Sequence, residues 1–253
     1  MGYAPRSGLF PHLQQREFST ELIKSAGLVG VSDRDGSVYD YFRDRLIFPI
    51  EDPRGQVIGF GARALGEAKP KYLNSPESPS FKKKSVLYGW SRARKAARRG
   101  LPVIVVEGYM DVIAVSSSGV AAAVAPLGTA LGEEQFRLLW KLSNDPVLCF
   151  DGDKAGQIAA QRAIERVLPL LEPGRSVRLA VLPEGQDPDD ILRQTGPDGL
   201  RRILGAATGL LDSLWASKAA DYHLDNPRTQ AGAKAAFWQD MRGLVPVSYT
   251  HLR

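Results

Sequence analysis

The feature that most constrains this chain is a regular alternation of strand-like and helix-like segments in its second half. Four short apolar runs lie there: PVIVVE (102–107), GVAAAVA (119–125), PVLCF (146–150) and SVRLAVLP (176–183). The segments between them have helical periodicity, most clearly at 155–171. Short continuous apolar runs are typical of strands buried on both faces, and strands that alternate with helices favour a parallel sheet covered by helices. The pattern therefore predicts an α/β fold.

The first hundred residues have a different pattern. LIFPI and VIGFGAR flank a turn signal at 52–55, which predicts a β-hairpin over 46–63. Residues 90–99 have a helical and strongly basic pattern. We therefore expect three parts: a basic α+β subdomain over 1–100, a parallel-sheet domain over 101–196 and a helical region over 197–253.

Charge divides the chain in a similar way. Residues 41–100 carry 14 basic and five acidic side chains, whereas residues 101–200 carry eight basic and 14 acidic ones. A basic surface of this kind can meet a polyanion, and an acidic one can hold a divalent metal ion. Two ordinary solvated surfaces are the alternative explanation.

Composition excludes several classes of protein. The single cysteine, Cys149, cannot form an internal disulfide, and with three scattered histidines it cannot build a zinc finger or ribbon, so we expect no zinc in this chain. The longest uncharged stretch, 112–132, is interrupted by small polar residues and Pro126, so it does not predict a membrane span. The N-terminus has no signal-peptide pattern. We expect a cytoplasmic protein with no membrane partner.

Acidic residues follow three of the four apolar runs. Glu107 ends the first run, Asp151 and Asp153 follow the third, and Asp187 and Asp189 come after the fourth. Because the carboxyl ends of parallel strands meet at one edge of a sheet, we expect these side chains to converge. Converging carboxylates repel one another unless a cation compensates them, and oxygen-only ligands fit Mg²⁺ or Mn²⁺. Such an ion commonly bridges to phosphate oxygens.

Each of these carboxylates also has an ordinary structural explanation. Glu107 could be a solvated residue at a strand end. Asp153 could cap the helix predicted over 155–171, and Asp187 could cap a helix that begins before ILRQ.

Longer motifs add a family resemblance. The segments EGYMD (107–111), FDGDKAG (150–156) and GQDPDD (185–190), in this order, resemble the Toprim fold of bacterial replicative primases of the DnaG type. Upstream, RLIFPIEDPRGQVIGFGAR (45–63) and PKYLNSPESPSFKKKSVLYG (70–89) resemble the basic subdomain of the same enzymes. The resemblance extends over roughly residues 1–200.

This resemblance implies a DNA-directed RNA polymerase that makes short RNA primers on single-stranded DNA from nucleoside triphosphates, by metal-dependent nucleotidyl transfer. By motif position, the catalytic residues are Glu107, Asp151 and Asp153. The metal ligands are the same three residues with Asp187 and Asp189, and Asp111 supports them. Six further positions match residues that contact nucleotide or template: Arg45, Arg63, Lys71, Tyr72, Asn74 and Lys83.

The chain also departs from the family pattern. The N-terminal zinc-binding domain and the C-terminal helicase-binding domain of these primases have no counterpart in the sequence, which therefore resembles a truncated catalytic core. The helicase is accordingly a partner expected of full-length relatives. The last residues, 247–253 (VSYTHLR), fit neither the helical pattern nor the family and are interpreted as a sequence-end artefact.

Three other functions are compatible with parts of the sequence. Another Toprim enzyme, a topoisomerase or a nuclease, would cut DNA, although no second domain large enough to deliver a nucleophilic tyrosine is evident. A non-catalytic single-stranded DNA-binding module would use its carboxylates only as helix caps. A phosphatase of the haloacid dehalogenase kind would explain Asp151 and Asp153 and leave the basic segment unexplained.

Overall fold

The computed structural model describes residues 1–128, 130–214 and 239, which form two compact units. The N-terminal unit contains Met1–Ser91 together with Leu127 and Gly128, and the C-terminal unit contains Arg92–Pro126 and the described residues from Ala130 onward. The part of the predicted helical region beyond residue 214, and the tail at 247–253, lie outside the described residues apart from Gln239.

The N-terminal unit is built around an antiparallel sheet. Its elements are β1 (Gly2–Ala4), α1 (Leu9–Gln15), α2 (Thr20–Ser25), β2 (Val29–Val31), β3 (Val38–Asp40), β4 (Arg45–Glu51), β5 (Val57–Ala64), β6 (Tyr72–Asn74) and a 3₁₀ helix at Lys83–Ser85. The main sheet has the order β1-β4-β5-β6, and β2 pairs with β3 separately. The division between the units falls within α3 (Trp90–Ala97).

The predicted hairpin is confirmed as β4 and β5. Its turn closes because the Asp52 carboxylate accepts hydrogen bonds from the backbone N–H groups of Arg54 and Gln56, at 2.8 and 2.9 Å. Gly55 has a φ of 87° there, which a glycine adopts without strain. One face of the hairpin forms the core of the unit, where Phe48 and Ile50 are fully buried.

The C-terminal unit is an α/β sheet, as the alternating pattern predicts. Its elements are β7 (Val103–Val105), α4 (Tyr109–Ser118), β8 (Ala122–Val124), α5 (Glu133–Leu139), β9 (Val147–Phe150), α6 (Lys154–Val167), a 3₁₀ helix at Leu168–Leu170, β10 (Arg178–Val181), α7 (Pro188–Gly205) and β11 (Thr208–Gly209). The sheet order is β11-β10-β9-β7-β8. All pairs are parallel except the edge pair of β10 with β11.

Some boundaries differ from the sequence pattern. The last helix begins at Pro188, before the helical region predicted from 197, because Asp187 caps its first turn and Pro188 fits the first helical position. This helix leaves helical geometry at Gly196, where φ is 67°. In the part of the chain that the structure describes, no helix combines the length and the apolarity needed to cross a membrane.

Candidate metal centre and nucleotide-binding residues

Parallel strand ends bring the acidic residues to one edge of the C-terminal unit. β9 pairs in parallel with β7 on one side and with β10 on the other. Glu107 follows β7 by two residues, Asp151 directly follows β9, and Asp187 follows the loop after β10. The expected convergence at the carboxyl edge of the sheet is therefore observed. The carboxylate cluster at this edge has six members: Glu107, Asp111, Asp151, Asp153, Asp187 and Asp189.

Asp151 has the most unusual environment in the carboxylate cluster. Its backbone N–H donates to Oε1 of Glu107 at 3.3 Å. Its own Oδ1 is buried and has no hydrogen-bond partner among the described residues. Burial, followed by repulsion from Glu107, raises the pKa of Asp151 to about 7. A buried carboxylate oxygen without a donor is costly, and either a proton or a bound cation would lower that cost.

Asp111 lies in the first turn of α4 and is also buried, at 8% exposure. Its carboxylate accepts a hydrogen bond from the backbone N–H of Gly108 at 3.0 Å, which satisfies one of the free donors at the helix start. Burial and repulsion from Asp187 nevertheless raise the pKa of Asp111 to about 6. These mutual effects show that side chains distant in sequence repel one another at this edge.

Asp153 and Asp187 are helix caps, as the structural alternative predicted. Oδ1 of Asp153 accepts from the N–H of Gly156 at 2.7 Å at the start of α6. Oδ1 of Asp187 accepts from the N–H of Asp190 at 2.8 Å at the start of α7. A carboxylate has two oxygens with about four acceptor sites, so capping and metal binding do not exclude each other. Asp189 forms an ion pair with Arg193 one turn later.

Two glycines allow close backbone contacts in the loops that carry the acidic residues. A Cβ at Gly152 would overlap the carbonyl oxygen of Pro183, and a Cβ at Gly156 would overlap that of Asp151. The N–H of Gly152 donates to the carbonyl of Gln186 at 3.3 Å, which joins the loop after β9 to the loop before α7. The glycines of the FDGDKAG motif thus have a steric reason: any side chain would push the neighbouring backbone away.

The cluster fits a hard cation by its chemistry. All of its side-chain acceptors are carboxylate oxygens, which suit Mg²⁺ or Mn²⁺, and one of them is buried without a donor among the described residues. Among residues 1–128, 130–214 and 239, no three His, Cys, Asp or Glu side chains are arranged as a ready metal-binding group. Besides burial, repulsion from neighbouring carboxylates raises the pKa values of Asp151 and Asp111, and a bound cation would relieve this repulsion.

The basic candidates belong to the N-terminal unit. Arg63 on β5 lies directly opposite Tyr72 on β6, so the two side chains share one face of the sheet. Tyr72 is 42% exposed and its neighbour Lys71 is also exposed. Nε of Arg63 is buried and has no hydrogen-bond partner among the described residues. The structure therefore brings a guanidinium and an aromatic ring together on one face, whereas Lys71, whose carbonyl accepts from the N–H of Ala64, follows the register of the opposite face.

The other three basic-side candidates have different environments. Nδ2 of Asn74 donates to the carbonyl of Leu127 at 3.2 Å. Lys83 begins the 3₁₀ helix, and its backbone N–H donates to the carboxylate of Glu77 at 3.1 Å. Arg45 is only 5% exposed, and its guanidinium donates to the main-chain carbonyl of Pro70. Its register position on β4 directs it to the face opposite Arg63, and its contact with nucleotide or template stays a prediction.

A cleft of the N-terminal unit was not predicted from the sequence. Its volume is about 470 Å³. Its charged and aromatic lining consists of Arg6, Tyr39, Tyr41, Arg43, Asp44, Arg45 and Lys69. The guanidinium of Arg43 lies 5.0 Å from the ring centroid of Tyr39, within range of a cation–π contact. The alternation of aromatic and charged residues in YDYFRDR (39–45) is the signal that could have indicated it.

Comparison with known proteins agrees with this arrangement. Residues 1–94 match the family described as DNA primase catalytic core, N-terminal domain, and residues 102–180 match the Toprim domain. The fold and the acidic edge thus define a Toprim protein, a class of domain that generally binds metal ions.

Relatives of known sequence identify the family. A DNA primase of Pseudomonas aeruginosa is 48% identical over 203 residues, which cover 79% of this chain and 31% of that protein. A DNA primase of Pasteurella multocida is 41% identical over 239 residues, which cover 93% of this chain and 41% of that protein. The chain therefore spans about a third to two fifths of the length of these relatives.

Solved structures give the same result. The E. coli primase catalytic core is 39% identical, with a TM-score of 0.84 over 97% of this chain and 78% of that one. A DnaG primase catalytic domain solved with bound single-stranded DNA is 40% identical, with a TM-score of 0.80 over 91% of this chain and 72% of that one. The chain belongs to the family of DnaG-type DNA primases and corresponds to part of their catalytic core.

Proposed function

We propose that this chain carries the catalytic core of a DNA primase, which synthesises short RNA primers on single-stranded DNA for replication by nucleotidyl transfer. The observation that carries the proposal is the link between Glu107 and Asp151 at the carboxyl edge of the sheet, with Oδ1 of Asp151 buried and without a donor. Family membership and a relative solved with single-stranded DNA support it. Nucleoside triphosphates are the proposed substrates.

The carboxylate cluster is the proposed metal centre. Glu107, Asp151 and Asp153 are the proposed catalytic ligands, and Asp187 and Asp189 are the proposed additional ligands. When bound, Mg²⁺ or Mn²⁺ would neutralise charge on phosphate oxygens and activate the attacking hydroxyl. The chain's own contribution is to hold these carboxylates at fixed strand ends and helix starts, so that little rearrangement is needed when the reaction occurs.

The N-terminal unit is the proposed binding surface for nucleotide and template. Arg63 and Lys71 suit phosphates, Arg63 by a bidentate fork and Lys71 as a point charge. Tyr72 can stack on a base or ribose. Asn74 and Lys83 are proposed as further contacts. The cleft lined by Tyr39, Tyr41 and Arg43 adds two rings and a cation of the kind that binds single strands.

These roles divide the chain into three proposed parts. Residues 1–100 bind nucleotide and template, residues 101–196 bind metal, and residues 197–253 begin a helical region. A replicative helicase is a proposed partner of full-length relatives only. The cytoplasmic location expected from the sequence stays a prediction.

One gel tests the proposal. The chain is incubated with mixed-sequence single-stranded DNA, labelled ribonucleotides and Mg²⁺ or Mn²⁺, and parallel lanes contain end-labelled DNA. Short labelled RNA that requires both metal and template is the expected product. Glu107→Gln should abolish it, whereas Asp198→Asn, which removes an exposed carboxylate paired with Arg201, should not.

The other products discriminate between the alternatives. Shortened DNA without RNA would point to a nuclease or a topoisomerase. DNA binding that ignores both Mg²⁺ and Glu107→Gln, with neither product formed, would point to a binding module. Either result would overturn the proposal.

A further inference from the structure

Arg45 is an arginine buried against main chain. It is the first residue of β4, and Nη1 donates to the carbonyl of Pro70 at 2.8 Å and to that of Lys71 at 3.4 Å. The Lys71 carbonyl also accepts from the N–H of Ala64 on β5 at 2.8 Å. The backbone just before Tyr72 is therefore held by both strands of the hairpin.

The choice of a guanidinium here has a physical reason. Two neighbouring carbonyls can be reached by one planar group with several donors, and charged donors make the stronger hydrogen bonds. No ion pair of the described residues includes Arg45, so its charge is not balanced by a carboxylate contact. A buried charge without such a partner lowers stability, and an apolar residue would fill this strand position at less cost. The presence of Arg45 is best explained by the two main-chain carbonyls that it binds, those of Pro70 and Lys71.

The sheet register separates Arg45 from Arg63 and Tyr72, but not from Lys71, which pairs with Ala64 from the other side. Arg45 lies opposite Ala64, whereas the next residue, Leu46, lies opposite Arg63. Because side chains alternate along a strand, Arg45 and Arg63 project from opposite faces. Arg45 instead contacts the backbone of the segment that presents Lys71 and Tyr72, both of which are exposed.

We propose that Arg45 is a positioning residue, which fixes the main chain at Pro70 and Lys71 so that Lys71 and Tyr72 are held ready for a nucleotide. This inference rests on the proposed function, since it takes those two side chains as nucleotide contacts. Holding them in place before binding removes part of the ordering cost on association. Arg45 thereby acts through its neighbours and not by touching the nucleotide.

The test compares substitutions of Arg45 with a matched change in the same strand. Arg45→Met removes the donors and keeps the side-chain length, and Arg45→Lys keeps the charge with a single nitrogen. Ile50→Val, at a fully buried position of β4, weakens packing without touching the two carbonyls. Hydrogen exchange of the full chain should accelerate at Ala64 and across β6 in Arg45→Met, and less in Arg45→Lys. Ile50→Val should not accelerate exchange selectively there.

Binding of a fluorescent ATP analogue with Mg²⁺ then measures the functional effect. Arg45→Met should weaken binding by about 2- to 10-fold, the range for losing one preordered side chain. RNA synthesis should show a higher KM for nucleotide with kcat nearly unchanged. Arg45→Lys should recover part of the affinity, and Ile50→Val should bind as the wild type does.

A mutant cycle separates positioning from direct contact. If Arg45 acts through Lys71 and Tyr72, Arg45→Met should have little further effect in a background that carries both Lys71→Met and Tyr72→Ala. Additive losses, wild-type affinity in Arg45→Met, or an equal loss in Ile50→Val would overturn the inference. Absence of nucleotide binding by the wild type would overturn it together with the proposed function. Wild-type binding without RNA synthesis would overturn only the proposed function.

Discussion

The backbone N–H of Asp151 donates to Oε1 of Glu107 at 3.3 Å, across 44 residues of sequence. This contact joins the ends of β9 and β7, which are neighbouring parallel strands. It directs a carboxylate from one strand end towards the next, while Oδ1 of Asp151 remains buried without a donor. The two strand ends therefore form one electrostatic site and not two independent turns.

Replacing Asp151 by Asn should remove catalysis without unfolding the protein. The amide is isosteric but cannot supply a negative ligand, so primer synthesis should fall by about 100-fold or more, as for other groups that stabilise charge at a reacting centre. Circular dichroism should stay that of the wild type. RNA synthesis at a near wild-type rate would contradict the metal role of Asp151.

Added Mg²⁺ should also raise the midpoint of thermal unfolding of the wild type but not of Asp151→Asn. A ligand at 100 times its dissociation constant adds about 2.7 kcal/mol to the free energy of unfolding. Asp198→Asn is the matched control, since it removes an exposed carboxylate of the same unit. An equal response to Mg²⁺ in all three proteins would indicate non-specific binding.

Stability without metal should depend on pH through the buried carboxylates. Burial raises the pKa of Asp151 to about 7 and that of Asp111 to about 6, from an ordinary value of 3.8. A carboxyl whose pKa is higher in the folded state stabilises that state when protonated. Its contribution is complete below about pH 3.8 and is lost as the pH rises to about 7.

Chemical denaturation in EDTA checks this expectation. The free energy of unfolding of the wild type should fall relative to that of Asp151→Asn as the pH rises through this window. A constant difference across the window would show that Asp151 does not titrate there.

Gly152→Ala should separate the two acidic loops. The new Cβ would overlap the carbonyl oxygen of Pro183, which belongs to backbone and cannot move alone. We expect a loss of about 1–3 kcal/mol in the free energy of unfolding, as for other overpacked sites, and a weaker response to Mg²⁺. Gly205→Ala is the control, because a Cβ there meets nothing within 4 Å. Equal stability of the two variants would contradict the steric argument.

Binding of single-stranded DNA should weaken steeply with salt. Each Lys or Arg that contacts a phosphate releases counterions and contributes about −0.7 to the slope of log K against log salt for single strands. Lys71→Gln should reduce the magnitude of the slope by about this amount in fluorescence anisotropy titrations. Arg137→Gln should leave it unchanged, since Arg137 is paired with Glu133 in the C-terminal unit. A flat salt dependence of the wild type would contradict a phosphate-binding surface.

Local patterns predicted the parts of this protein that depend on local burial. The four apolar runs are strands, the hairpin over 46–63 is present, and the caps considered for Asp153 and Asp187 are confirmed. The strands β1 and β6 were not predicted, because they do not lie in an apolar run as the equally short β7 and β8 do. The helical region predicted from 197 begins later than α7 itself, whose start at Pro188 agrees with the cap considered for Asp187.

The sequence by itself determined that carboxylates follow the strands of a parallel sheet. Its apolar runs alternate with segments of helical periodicity, and this alternation predicts parallel strands. Only the tertiary structure decided that Oδ1 of Asp151 is buried without a donor, and that Arg45 holds the carbonyls of residues 70 and 71. Both facts depend on which distant backbone atoms come within about 3 Å, as a hydrogen bond requires. The periodicity of apolar residues predicts which face of a helix or strand is buried, but it does not predict which distant residues that face contacts.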